Sequence, residues 1–349
     1  MKSWINILCL ITGAIIIVQL EESCHKKDST NYNPTLLKQE IPAGFPQPHY
    51  KFENNTLTKE GFDLGRKLFY DGRLSIDGNF PCASCHQQFA AFSTFDHNLS
   101  HGFNNAFTTR NAPALFNLAW QKEFHHDGGI NNIEVQPLAP ITAQNEMAET
   151  IDHVISKLQA DPKYREMFLA AFGDETINSQ KMLKALAQFT GSLVSADSKY
   201  DRMKKGQATF NAYEQRGYTL FQAKCVTCHT EPLFTDFSYR NTGLPIDPYL
   251  KDFGRMRITN DRNDSLKFKV PTLRNINLSV PYMHDGRFVS LQQCINHYRS
   301  GIQQSATLDP SLVGGISLTN AQVIDLVEFL RSLTDSTFIA DRRFSQPPQ

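Results

Sequence analysis

The sequence predicts an all-α protein of two related domains. Three observations carry this: apolar residues recur at helical spacing, alternating strand patterns are nearly absent, and several short phrases occur twice in the same order. Ile151, Val154, Ile155 and Leu158 keep i, i+3, i+4, i+7 spacing, as do Val323, Leu326, Val327 and Leu330. "GRKLF" (65–69) is answered by "GYTLF" (217–221), and "NAPALFN" (111–117) by "KVPTLRN" (269–275). "KEFHHDGGI" (122–130) is answered by "PYMHDGRF" (281–288), with His125 opposite Met283 and His126 opposite His284. Asn117 precedes Asp127 by ten residues and Asn275 precedes Asp285 by ten, so the phrase holds the same place in both copies.

The N-terminus is of another kind. Lys2 leads into "WINILCLITGAIIIV" (4–18), the length of an export signal's apolar region and short for a membrane-spanning helix. We expect an export signal over 1–23 and a polar tether over 24–44. Cys24 stands where a lipid-modified cysteine follows an export signal; cleavage without lipid and an uncleaved anchor are the alternatives. All three readings place the chain in the periplasm or cell envelope. The first domain is expected over 45–200 and the second over 205–340, joined near "DSKYDRMKKGQ", with "FSQPPQ" as a tail.

Lys+Arg and Asp+Glu are equal at 35 each, so no global field recruits nucleic acid or an acidic membrane surface. Of the seven cysteines, four form two pairs. Cys294, alone in a helical stretch, reads as core. "CASCH" supplies Cys82, Cys85 and His86, and "CVTCH" supplies Cys225, Cys228 and His229. C-x-x-C-H is the attachment signature of c-type haem: two thiols bind the porphyrin vinyl groups and the next histidine turns its imidazole to the iron. A redox disulfide would not need the histidine. A single zinc site would bring the pairs closer than 143 positions (225 minus 82). Each half is therefore a cytochrome-c-like domain with one covalent haem c.

In order along the chain, "CASCH", "SHGF", "TRNAPALFN", "HHDGG", "EVQPLAPI", "NEM", "CVTCH", "FKVPTLRN" and "PYMHDGRF" resemble the bacterial dihaem cytochrome c peroxidases, MauG-type enzymes included, over roughly 55–335. The resemblance implies that the N-terminal haem meets hydrogen peroxide, that the second haem passes electrons or stores an oxidising equivalent, and that calcium bridges the domains.

Residue by residue, it makes Gln136 and Glu146, ten and twenty positions beyond His126, the distal catalytic pair. O–O heterolysis needs a base that takes a proton from one oxygen and returns it to the other, which a carboxylate can do. Alternatively, Glu146 opens a helix starting near Met147, where an acid is favoured by the dipole. His101 in "SHGF" matches a histidine that closes the first iron in many members; as a loop histidine it is equally a solvated residue. The second haem has His229 on one side and either Tyr298 or Met283 on the other, Tyr298 being preferred as in MauG-type proteins. Asn111, with the carbonyls of Ser279 and Pro281, matches the calcium ligands. His126 stands where the family commonly has tryptophan.

The expected activity is reduction of hydrogen peroxide to water with electrons from a small cytochrome c or cupredoxin. The alternatives are a MauG-type enzyme that oxidises side chains of a partner protein and a non-catalytic electron carrier. Monomer and homodimer are both left open.

Overall fold

The computed structural model describes residues 32–348, so the predicted export signal, Cys24 and the start of the tether lie outside the described residues. Its frame is a pair of crossed helices in each half. In the first half α1 (Lys59–Phe69) starts at Thr58, whose side chain accepts from the Gly61 amide. α2 (Cys82–Cys85), α3 (Leu138–Thr142), α4 (Ile151–Gln159) and α5 (Pro162–Phe172) follow. α6 (Ser179–Thr190) returns across α1. The crossing is close because position 65 is glycine: a Cβ there would lie 1.9 Å from the Ala185 carbonyl oxygen.

After α7 (Lys199–Lys204), the second half repeats the construction. α8 (Ala212–Lys224) carries Gly217, where a Cβ would lie 2.0 Å from the Asp325 carbonyl oxygen. The strands β1 (Tyr239–Arg240) and β2 (Phe268–Lys269) pair antiparallel, with Tyr239 opposite Lys269. They flank the short α9 (Met256–Thr259). α10 (Leu291–Asn296) leads to α11 (Asn320–Arg331), which crosses α8, and the chain closes with α12 (Ser336–Ala340). The repeated "GRKLF" and "GYTLF" are thus the same helix crossing made twice. The helical period was a sound guide: Val154 and Leu158 of α4, and Val323, Leu326 and Leu330 of α11, are buried.

Two aromatic cores result, and each borrows a helix. The first gathers Leu64, Phe69, Phe92 and Phe189, together with Phe338 and Phe344 from the end of the chain. The second gathers Phe221, Phe234 and Phe329, together with Tyr200 of α7. α7 follows the first half's α6 yet packs in the second core, and α12 follows α11 yet packs in the first. The two connectors meet at Asp335, whose carboxylate accepts from Ser195 Oγ at 2.9 Å and from the Ala196 and Asp197 amides at 3.0 and 2.9 Å.

Three local expectations are revised. The C-terminal "FSQPPQ" begins with a core residue, since Phe344 is buried and its carbonyl accepts from the Tyr70 hydroxyl at 2.8 Å. Part of the segment read as a tether is docked: Leu37 donates to the Leu57 carbonyl at 3.0 Å and Lys59 to that of Thr35 at 2.8 Å. The helix after Glu146 starts at Ile151, capped by Thr150, so Glu146 lies in a turn and not at a helix start. No helix among the described residues is long and apolar enough to cross a membrane.

Candidate haem-binding and peroxide site

The C-x-x-C-H segments have matching geometry. Cys82 and Cys85 flank the single turn of α2, and Cys225 caps α8. All four thiols are free and half-buried. Burial pushes Cys82 and Cys225 up to about 12. His86 Nδ1 lies 3.1 Å from the Phe92 carbonyl, and the Pro113 backbone also interacts with this ring. His229 Nδ1 lies 3.2 Å from each of the Phe234 and Pro271 carbonyls. A carbonyl only accepts, so Nδ1 carries the proton in both rings and the Nε2 lone pair is left for a metal. Burial lowers both imidazoles, His86 to about 4, which keeps them neutral. Paired free thiols followed by a neutral, oriented imidazole fit a covalent haem in each half. Pro113 and Pro271 hold the same place in the repeated phrase, a sign of their role that sequence reading passed over.

Around the first motif, Glu146 is close enough to raise the Cys82 and Cys85 thiols. Its carboxylate makes no hydrogen bond among the described residues, and burial raises its pKa. The turn is held from outside: the Phe103 amide donates to the Glu146 carbonyl at 2.7 Å, and a Cβ at Gly102 would lie 2.5 Å from Glu146 Cα. Gln136 Nε2 donates across 3.3 Å to His125 Nε2. Burial lowers His125, which lies near enough to His86 to depress it further. His101 belongs to the loop that covers this turn; its Nδ1 is engaged by Asn105 Oδ1 at 2.8 Å and its ring packs 4.4 Å from that of Phe107.

Around the second motif, Tyr298 lies in a π-helical turn, His297–Gly301, a distortion common at functional positions. Its hydroxyl makes no hydrogen bond among the described residues. Burial first, then the thiols of Cys294, Cys225 and Cys228, raise its pKa, which places it beside the second pair of attachment cysteines. Cys294 is half-buried against the second core. Met283 occupies a left-handed turn (φ 73°) that matches His125 (φ 65°).

Between the halves the two His-Asp-Gly phrases face each other. His126 Nε2 lies 2.9 Å from the Asn111 carbonyl, and burial lowers its pKa to about 3. His284 stacks on Phe268 at 3.8 Å. Arg110 joins Asp252 at 2.6 and 2.9 Å and also pairs with Asp127. Lys269 Nζ donates to Gln121 Oε1 and the Glu123 carbonyl at 2.7 Å each, and burial lowers it to about 7. Sequence reading does not single out Arg110 or Lys269. Asn111 Nδ2 donates to the Asn98 carbonyl at 3.1 Å, leaving Oδ1 without a hydrogen bond among the described residues. No group of three or more His, Cys, Asp or Glu that could hold a metal occurs among the described residues.

Two helical halves, each with paired thiols and an oriented imidazole, define a dihaem c-type cytochrome. Known proteins place it more narrowly. Residues 59–209 match the family described as di-haem cytochrome c peroxidase, and residues 214–334 match cytochrome c. The chain is 34% identical to the methylamine utilization protein MauG of Methylophilus methylotrophus, over 86% of this chain and 89% of the relative. It is 35% identical to the cytochrome c551 peroxidase of Nitrosomonas europaea, over 67% of this chain and 71% of the relative. The crystal structure of a MauG-like protein associated with microbial copper homeostasis superposes with a TM-score of 0.80 at 33% identity, covering 89% of this chain and 99% of that one. The chain belongs to the dihaem cytochrome c peroxidase and MauG family.

Proposed function

We propose that this protein is an exported dihaem peroxidase that reduces hydrogen peroxide to water with two electrons from a small cytochrome c or cupredoxin. The observation that carries the reading is Glu146, a half-buried carboxylate with no hydrogen-bond partner among the described residues, beside the first pair of haem-attachment thiols. Bound haem would supply the iron chemistry for O–O cleavage. Glu146 takes the proton from the near oxygen and returns it to the departing one. Gln136, whose amide donates to His125, orients the peroxide without competing for the proton. His86 and His229 would each hold a haem iron through Nε2, with Nδ1 of His86 fixed by the Phe92 carbonyl and that of His229 by the Phe234 and Pro271 carbonyls. Asn111 Oδ1, with the carbonyls of Ser279 and Pro281, would hold the calcium that the resemblance implies; an all-oxygen set suits that ion. Steady-state peroxide consumption with a reduced small cytochrome c tests the reading: rapid turnover is expected, and its absence overturns it.

A second reading has its own support. Tyr298 lies beside the second attachment cysteines, and on binding haem iron it would give up its proton to become a phenolate, a donor that stabilises ferric iron and suits storage of an oxidising equivalent. On this reading the enzyme is MauG-type and takes its electrons from side chains of a partner protein. Failure with small donors, together with peroxide-dependent modification of a protein partner, selects it.

A further inference from the structure

The exchanged helices do more than fill two cores. Each covers the residue whose carbonyl orients the other half's axial histidine. In the first half Phe92 is fully buried in a left-handed turn (φ 57°), with its carbonyl on His86 Nδ1. Its ring meets Phe69 and Phe189 of its own half at 5.8 and 6.2 Å, and Phe338 of α12 at 5.7 Å. Gln88 Nε2, in the same loop, donates to the Asp341 carbonyl at 2.8 Å. In the second half Phe234 is fully buried in the same turn (φ 55°), with its carbonyl on His229 Nδ1. Its ring meets Phe221 and Phe329 of its own half at 5.4 and 6.3 Å, and Tyr200 of α7 at 4.8 Å.

The connectors are equivalent as well. The Asn117 amide donates to the Leu193 carbonyl at 2.7 Å, and the Asn275 amide to that of Leu333 at 3.0 Å. α7 and α12 are therefore the same element of the repeat, each sent across to the partner half.

We propose that Phe338 and Tyr200 are positioning residues acting across the halves: the helix that ends the second half orients the first haem's histidine, and the helix that ends the first half orients the second's. A left-handed turn on a non-glycine residue persists only where its surroundings hold it. The ring clamp supplies that hold, and the carbonyl it fixes sets the hydrogen bond to Nδ1. That bond governs how strongly the imidazole donates to iron. The inference rests on His86 and His229 as haem ligands, and it is independent of which substrate the enzyme oxidises.

The test uses the full-length holoprotein and reads each haem separately, by spectroelectrochemical titration, ferric EPR and the ferrous iron–histidine stretch in resonance Raman. Phe338→Ala loosens the Phe92 carbonyl, so His86 donates less. The first haem's potential should rise and its iron–histidine stretch fall, with the second haem unmoved. Tyr200→Ala should do the same to the second haem alone. Tyr200→Phe, which keeps the ring, should restore the native spectrum, whereas loss of the hydroxyl bond to Glu231 at 2.6 Å would be the cause if it does not. That result would overturn the ring clamp at Tyr200. If Phe338→Ala does not accumulate, Phe338→Leu carries the same test with a smaller shift in the same direction. Two haems per chain with unchanged potentials and spectra in the Phe338 variants would overturn the proposal, as would shifts in the haem of the substituted residue's own half. A wild-type preparation lacking histidine-ligated haem would instead refute the haem assignment beneath it.

Discussion

The Asn111 amide donates to the His284 carbonyl across 2.8 Å, and its counterpart in the repeat, the Lys269 amide, donates to the His126 carbonyl across 2.7 Å. The repeated phrase of each half is thus closed by the other half's His-Asp-Gly phrase. Asn111 is held at both ends, because its carbonyl also accepts from His126 Nε2. The histidine pair that draws the eye in "FHHDGG" divides its labour accordingly: His125 faces Gln136, while His126 stitches the halves together.

His126 is neutral throughout the ordinary pH range, its pKa lowered to about 3 by burial. A neutral imidazole is hard to oxidise by one electron and makes a poor relay between haems. Peroxide added to the diferric protein should give no long-lived oxidised state shared by both haems, and His126→Trp should lengthen that state's lifetime. Stopped-flow near-infrared spectra decide it. A native state persisting for minutes would count against this and favour the MauG-type reading.

Glu146→Gln should retain both haems and lose peroxide turnover by about 10²–10⁴-fold, the range of general acid–base catalysis. Burial raises the Glu146 pKa, so the carboxylate needed as base is protonated at a higher pH than an ordinary glutamate. The acid limb of turnover should therefore lie above the usual glutamate range, and it should vanish from the variant's residual rate. A pH–rate profile of both proteins checks this.

Tyr298→Phe should raise the second haem's potential and leave the first alone, because an anionic ligand that favours ferric iron is lost. Met283→Leu should leave both potentials near native. Redox titration of the two variants distinguishes the ligands, and the opposite pattern would assign the position to Met283.

Arg274→Met should cost about 3–5 kcal/mol of stability, since it strips a buried carboxylate of its partner. Arg274 is fully buried and bidentate on Asp201 of α7, at 2.7 and 2.8 Å. Burial works to raise Asp201, but the hydrogen bonds and charge of Arg274 hold it below the ordinary carboxylate range. A depressed carboxylate stabilises the fold above its unfolded pKa and loses that contribution as pH falls through the folded value. Urea titrations at neutral and acid pH should show the gap between native and variant protein narrowing in acid.

Much of this architecture is legible in the residues. The C-x-x-C-H motifs, the doubled phrases and the helical period lie in local sequence, where spacing alone reveals chemistry. The glycine at each helix crossing opens a repeated phrase and could be read as such. What escapes is long-range. α12 has only five residues, too few for a period, and nothing near Phe344 indicates that it returns to the first core. Glu146 resembled a helix-start acid because Thr150, four positions later, is an equally good cap. The partners of Arg110 lie 17 and 142 positions away, so no window of sequence contains that cluster.

The traded helices also say something about how such a chain could arise. A single-haem ancestor with the same design is incomplete by itself: its own last helix points away, and the ring over the carbonyl that orients its histidine must come from another copy. Two such copies satisfy each other around a two-fold axis, as in a swapped dimer. Joining them end to end replaces a concentration-dependent encounter with an intramolecular one, at an effective concentration reaching the millimolar range for short linkers, of order 10⁻³ M. Dilution then no longer separates the partners. Each copy is released from self-complementarity, free to diverge in sequence, as His125 opposite Met283 shows.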